Sequence, residues 1–552
     1  MKRFIFAMLA VVIFSSLVLA DEFTNVAFKK PYTVNIGAWS PHQDPGDKLT
    51  DGIIATAKSS DKAWQSHSRK SHRTFVIDLG QYYEVNKVTL GVLQETYSNV
   101  WIPVVISAAF SLDGDTWDVV GDTYYGSADT PKDARTRFVL EVETKSKPAR
   151  YVAVRVPVDI WVYVDELEVF GKSTSIDQPL VTSKLDSIDF DVIEKAIANF
   201  TNQELYFNTP GEIMKVSDDR AGGARNVLLV YEQSNNHWKR SDALPYISYM
   251  SESFTPIDWF FDTFLFLGLT SGSGRSFAVS PYADRSDWLW WLDRVFEENH
   301  AFDACEKTVD MVGNIFAEHD HKIKVIAMIP YPNEDGNHPF DPTNPGMLNP
   351  YVAGEVAAVN NRIETVKWYV EEFERRWQAA DFKNLELIGF YWLSENLDSR
   401  QFDTKYVPQI GEYLRGQNYR FYWIPWFLAP GYDKSFELGF DATFLQPNYM
   451  FVNNSSKSRL TKAAAEAKRF GIGLEIEADP SILRNEMARE RYYDYLRAAV
   501  TYGYDKDGLI AFYQDALVFS FAAISEYPEI REIYDKTYDF VTGNFQETFA
   551  DE

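Results

Sequence analysis

The stretch GIGLEIEADP, Gly471–Pro480, governs how the whole chain is read. Its glycines and apolar residues spell a strand buried between other elements. Yet two glutamates, Glu475 and Glu477, sit inside it. Burying one unpaired carboxylate is costly, and two side by side repel each other. Side chains alternate along a strand, so Glu475 and Glu477 share one face, with Glu477 a layer nearer the C-terminal end. An architecture is needed that holds both.

Seven further runs of the same kind precede and follow it: 226–231 (NVLLVY), 259–268 (WFFDTFLFLG), 324–330 (KVIAMIP), 385–393 (LELIGFYWL), 419–427 (YRFYWIPWF), 441–447 (DATFLQP) and 508–514 (GLIAFYQ). Helix-like segments are predicted at Asp287–Ala317, Glu355–Ala379, Thr404–Arg415, Ser456–Arg469, Ile482–Thr501 and Ser520–Tyr538. Alternation of this kind builds parallel sheets, and eight strands with helices between them predict a closed (β/α)8 barrel of TIM type. An open doubly wound sheet is the competing architecture. No glycine-rich phosphate fingerprint follows any strand to support it.

The chain before this region has another rhythm. Phe75–Leu79, Lys87–Val92, Val104–Ser111, Phe138–Val142, Tyr151–Val156 and Leu167–Phe170 are short β-branched or aromatic runs, and SLDGDTW carries an Asp-Gly turn signal. They predict a β-sandwich. KLTDG (Lys48–Gly52), Trp64, FVIDLG, FSLDGDTW, RYVAVRV and DELEVFG (Asp165–Gly171) together resemble the discoidin or coagulation-factor type C family. The resemblance implies a galactose-binding-like jelly roll of the kind that serves secreted glycosidases as a carbohydrate-binding module. It also implies a structural Ca²⁺ held by Asp51 and Glu166, whose oxygens suit that ion. Trp39, His42, Trp64, Trp101 and Tyr124 are the candidates for sugar contact, each equally readable as core.

The expected organisation is therefore multidomain. A signal peptide spans 1–20, the β-sandwich 21–172, a linker and helical lead-in 173–222, and the barrel, as catalytic domain, 223–552. The signal peptide is read from Lys2 and Arg3 before an apolar run that ends at Val18-Leu19-Ala20. It places the protein outside the cytoplasm, secreted or in the cell envelope, and no later segment is apolar enough to span a membrane. A formal charge of −26 opposes nucleic acid and anionic membranes. Cys305, the single cysteine, excludes an intramolecular disulfide and reads as a core residue of an amphipathic helix. The 15 Trp and 32 Tyr supply the amphipathic rings that carbohydrate surfaces use.

In a TIM-type barrel the chemistry sits at the C-terminal strand ends. Those ends supply Tyr231 and Glu232, Tyr331 and Asn333, Tyr391, Glu395 and Asn396, Trp423 and Trp426, Gln446, Asn448 and Tyr449, and Tyr513, Gln514 and Asp515. Two carboxylates facing across a cleft are what glycosidic cleavage requires: one protonates the leaving oxygen, the other attacks the anomeric carbon or activates water. Glu395 and Glu477 are the expected pair, with Glu475 hydrogen-bonding or holding a neighbouring Arg or Lys; which strand-seven glutamate is catalytic stays open. Tyr331, Tyr391, Trp423, Trp426, Gln446, Asn448, Tyr449, Glu475 and Asp515 are the expected substrate contacts. Trp288, near a helix start, is a candidate sugar platform. The loop Asn333–Gly346 is expected to wall the cleft. His319 and His321 precede strand three, at the opposite face, and no zinc motif accompanies them. No cofactor is expected for catalysis.

Glutamates closing strands four and seven resemble the largest clan of retaining barrel glycosidases. That resemblance implies acid/base Glu395, nucleophile Glu477 and retention. The chain departs from the clan in having Ser394 before Glu395 where the clan usually has Asn; Asn448 is expected to take over that residue's contact. WFFDTFLFLG, GFYWLSEN, FLQPNY and GIGLEIEAD together resemble a bacterial family known as domain of unknown function 4855, over roughly 225–545. The reading is a secreted glycoside hydrolase acting on a carbohydrate polymer or oligosaccharide. The alternative is a polysaccharide-binding protein on a degenerate barrel, its glutamates paired with Arg or Lys. A transglycosidase would share the same residues.

Overall fold

The computed structural model describes residues 22–549 apart from 40–41, 69–71, 127–128, 132, 177–178, 180–181, 334–339, 342–353 and 453–454. The expected signal peptide and most of the expected cleft loop lie outside the described residues.

The N-terminal unit is an antiparallel β-sandwich. Its frame is three long strands, Arg73–Glu95, Arg135–Val156 and Trp161–Ser173, the first pairing with both others. Each of the first two joins two runs read separately in the sequence. Bulges between Asp78 and Tyr83 and between Val85 and Lys87 let one strand continue through a bend. The SLDGDTW turn links Val105–Ser111 to Asp118–Tyr124 as an antiparallel hairpin. Phe75, Ile77 and Leu79 alternate into the core with Val88, Leu90 and Val92. The helix Phe190–Asn199 lays Ile193 and Ile197 on the outer face, against Val76, Tyr151 and Ala153. Asp165, fully buried, takes Arg137 in a two-pronged ion pair (2.6 and 2.9 Å) and the Ala55 N–H at 3.0 Å.

The C-terminal unit is a closed eight-stranded parallel barrel. Its strands are β1 (Val227–Tyr231), β2 (Thr263–Leu267), β3 (Ile323–Ile329), β4 (Leu385–Trp392), β5 (Arg420–Trp423), β6 (Ala442–Leu445), β7 (Gly473–Glu477) and β8 (Ile510–Tyr513). Seven fall inside the runs identified from sequence, β3 starts one residue before its run, the order is the same, and β8 pairs with β1 to close the ring. The run at 259–268 is shorter than expected. Its first residue, Trp259, ends a separate strand, Pro256–Trp259, that pairs with Ser248–Met250 as a hairpin outside the barrel. The helix expected at Asp287–Ala317 is two helices, Arg285–Val295 and Ala301–Phe316, separated by a bend.

The opening stretch now has a local explanation. Gly471 adopts the left-handed conformation (φ 65°) that caps the helix Ser458–Phe470. Gly473 lets β7 lie against β8: an added Cβ would stand 2.5 Å from the Leu509 carbonyl oxygen. Leu474 and Ile476 bury the opposite face, each contributing roughly 1.5–3 kcal/mol. Asp479 ends the strand by accepting the Ser481 N–H at 2.8 Å.

Candidate active site at the C-terminal end of the barrel

A cavity of about 710 Å³ opens over the C-terminal strand ends. β1 contributes Leu229 and Tyr231, β4 Tyr391, and β7 Glu475. The segments after β4 and β6 supply Glu395, Asn396, Gln446 and Asn448. The loop after β2 adds Leu269, Val279 and neighbours, and Trp426 and Phe451 complete the wall. Among the described residues that line it there is no Lys, Arg or His.

The two β7 glutamates part company here. Glu475 lines the cavity, only 3% exposed. Its Oε1 is buried with no hydrogen-bond partner, and no described Lys or Arg pairs with it. Neither the hydrogen bond nor the Arg or Lys expected for Glu475 reaches this oxygen among the described residues. Burial, followed by the nearby Glu477 and Glu395 carboxylates, holds the Glu475 carboxyl well above the usual range. Glu477 does not line the cavity. Its Oε1 accepts the Asn448 N–H at 2.9 Å, and its Oε2 accepts the Tyr495 hydroxyl from the helix Glu486–Tyr502. Burial raises Glu477, but Tyr495, Asn448 and Arg459 hold the rise to about 7. Of two close carboxyls, the one with donors keeps the charge and the one without keeps the proton.

Glu395 stands open to the cavity solvent. The enclosing walls raise its carboxyl and Gln446 draws it back. Gln446 is itself fixed, donating to the Ile424 carbonyl at 3.0 Å and accepting from Asn448 Nδ2 at 3.0 Å.

Of the other expected contacts, Tyr391, Trp426, Gln446 and Asn448 line the cavity and four do not. Trp423 is fully buried, stacked on Phe440 and donating to the Ser394 carbonyl at 2.8 Å. It fixes the segment carrying Glu395 from behind. Tyr331 is buried, its hydroxyl 3.0 Å from Asp403, and Tyr449 donates to Asp494 at 3.1 Å. Asp515 is half-buried beyond the lining. Trp288 is core, packed on Phe340 and Tyr369. Sequence reasoning missed the wall after β2. The Gly/Ser-rich run 270–276, a top-face loop following a barrel strand, was its available signal.

In the sandwich, Trp64 is buried, whereas Trp39 is 51% exposed and packs edge-on against Trp161 at 5.2 Å. His42 packs edge-on against Tyr163. Asp51 and Glu166 come together: Glu166 Oε1 accepts the Gly52 and Ile53 N–H groups at 2.7 and 3.1 Å, and Asp51 Oδ1 accepts Ile53 N–H at 2.7 Å. Burial and the facing Asp51 push Glu166 up to about 8, against the pull of the Gly52 N–H. Two carboxyls held together offer oxygen ligands of the kind a hard divalent cation takes.

Fold and site thus define a β-sandwich joined to a TIM-type barrel with a carboxylate-bearing cavity. Residues 226–539 match the family described as Domain of unknown function (DUF4855), and the chain belongs to that family. No curated protein matches it. Similar solved structures include a chitosan-binding module 1 from the chitosanase/glucanase of Paenibacillus sp. IK-5, at 19% identity, covering 27% of this chain and 99% of that one, TM-score 0.20. Another is CpGH89CBM32-5 from Clostridium perfringens in complex with GalNAc-β-1,3-galactose, at 16% identity, covering 25% and 93%, TM-score 0.20. A third is the lectin domain of lectinolysin complexed with Lewis B antigen, at 20% identity, covering 28% and 99%, TM-score 0.22. Among the described residues no helix is long and apolar enough to cross a membrane.

Proposed function

We propose that the barrel is a glycoside hydrolase in which Glu475 is the general acid and Glu395 is the carboxylate that attacks the anomeric carbon or activates water. The observation that carries this reading is the buried, unpartnered Glu475 oxygen in the same cavity as Glu395. A carboxyl kept protonated by burial is suited to giving a proton to a leaving oxygen, and a partner less raised in pKa is suited to the other role. The strand-seven role passes from Glu477 to Glu475, and the acid is on strand seven rather than strand four. The aromatic and amide lining suits neutral sugar rings, and the absence of described basic side chains opposes anionic ones.

The test is a panel of neutral and acidic polysaccharides, scored for new reducing ends. Cleavage of a neutral glycan by the wild type and none by Glu475→Gln is expected. Binding without cleavage by the wild type would support the non-catalytic binder instead. Trp39 and Trp161 are proposed as the sugar platform of the sandwich, in a protein exported by its N-terminal signal.

The sandwich is further proposed to hold Ca²⁺ through Asp51 and Glu166. Glu166 rises from 4.5 to about 8 on folding, so the folded unit holds a proton the unfolded chain releases. Stability then falls as pH rises across that window, and a bound cation removes the loss. Differential scanning calorimetry with Ca²⁺ against chelator is expected to show a Tm gain that grows from pH 5 to pH 8 and vanishes in Asp51→Asn. A Ca²⁺ response equal in Asp51→Asn would sink the assignment.

A further inference from the structure

Away from the cavity, the loop after β1 and the bend between the helices Arg285–Val295 and Ala301–Phe316 bring His237, Glu297 and His300 together. One ligand atom from each lies within 4.8 Å of the others. The imidazoles stack, centroids 3.8 Å apart and planes 9° from parallel. Backbone pairing fixes the two segments to each other: Lys239 bridges His300, and the Ala301 N–H donates to the Trp238 carbonyl at 2.9 Å.

A second observation lies beneath the cluster. Glu232, fully buried, sits with Oε1 2.7 Å from His237 Nδ1. Its carboxylate is held by Arg294 Nε at 2.6 Å and the Trp238 N–H at 3.0 Å. Where Glu232 is ionised it accepts the proton of Nδ1–H, which leaves Nε2 as the lone-pair nitrogen of the neutral ring. That nitrogen faces Glu297 Oε2 at 3.2 Å. A lone pair against a carboxylate is repulsive unless a proton or a cation lies between them. His300 is oriented in a similar way, its Nδ1 3.1 Å from the Glu298 carbonyl oxygen.

We propose that His237, Glu297 and His300 bind one late first-row divalent cation, Zn²⁺ by ligand chemistry, with its remaining coordination positions open to water. Two imidazoles and a carboxylate match that class of ion, and a carboxylate behind a ligand histidine is the outer-shell partner such sites use. Glu297 is solvent-exposed, so its carboxylate is free to close on the ion. Bound there, the cation clamps the β1 loop to the helix bend.

The test uses the full chain without an affinity tag, stripped with chelator, then titrated with Zn²⁺ by calorimetry and with Co²⁺ by visible absorption. The wild type is expected to bind one ion that survives Asp51→Asn, with Co²⁺ bands showing nitrogen ligation. His300→Ala and Glu297→Ala, both checked by circular dichroism, are each expected to weaken Zn²⁺ binding by at least about tenfold and to remove those bands. Equal Zn²⁺ affinity in either folded variant, or a folded wild type with no such bands, overturns the site.

Discussion

Glu475→Gln is expected to lower glycosidase activity by about 10²–10⁴-fold, the usual range for a lost general acid, while raising the melting temperature at pH 7. The two effects have one cause. Glu475 is buried, has an unpartnered oxygen, and faces the Glu477 and Glu395 carboxylates. Its carboxyl is raised above the unfolded value of 4.5, so the folded state holds a proton that the unfolded chain releases as pH rises. Stability is greatest below that value and is lost as pH climbs toward the folded pKa. Glutamine keeps the shape and removes the titration. The expected gain is about 1–3 kcal/mol, growing between pH 5 and pH 8. Loss of activity with gain of stability separates a functional carboxyl from a structural one. Leaving-group dependence separates the roles: Glu475→Gln is expected to spare aryl glycosides with good leaving groups, and Glu395→Gln is not. If the reaction is retaining, azide rescues Glu395→Ala with a product of inverted configuration. The opposite pattern, with Glu395→Gln spared and Glu475→Ala rescued to inverted product, would make Glu395 the acid, as the clan resemblance implies, with Glu475 rather than Glu477 as the strand-seven nucleophile.

The barrel was legible because its strands are apolar runs bounded by polar or turn residues, and that signal is local. GIGLEIEADP carried its own start, in Gly471 and Gly473, and its own stop, in Asp479. The sandwich was legible as a class but not in its strand count. Bulges that carry Arg73–Glu95 through a bend look in sequence like the end of one strand and the start of another. The site was legible in position and only partly in detail. Period two placed Glu475 and Glu477 on one face, and it says nothing about what each carboxylate meets. Glu477 is claimed by Asn448 from the adjoining segment and by Tyr495, 18 residues on, and neither contact is encoded locally. The same limit misplaced Trp423 and Tyr331. Each follows or ends a barrel strand as a lining residue would, yet Trp423 stacks on Phe440 and Tyr331 reaches Asp403.

Glu477→Gln is expected to retain activity within about tenfold of the wild type, and Glu477→Ala to destabilise the barrel by about 2–4 kcal/mol. In the wild type the carboxylate satisfies two buried donors, the Asn448 N–H and the Tyr495 hydroxyl. Glutamine preserves this arrangement: its carbonyl oxygen accepts the Asn448 N–H, and its amide donates to the Tyr495 oxygen once that hydroxyl turns. Alanine leaves both groups unpartnered, and each buried orphan costs about 1–3 kcal/mol. Asn448 also bonds Gln446, the neighbour that draws the Glu395 carboxyl down, so a displaced Asn448 reaches the reacting pair indirectly. Glu477→Ala is accordingly expected to shift the alkaline limb of the pH–activity profile as well as to melt earlier. A nucleophile behaves otherwise, because glutamine at that position cannot form the glycosyl ester and the turnover collapses. Measured side by side with one substrate, a loss beyond about 10³-fold in folded Glu477→Gln would return the strand-seven role to Glu477. Retention of activity there, beside its loss in Glu475→Gln, would leave Glu477 as the residue that positions the wall and Glu475 as the one that reacts.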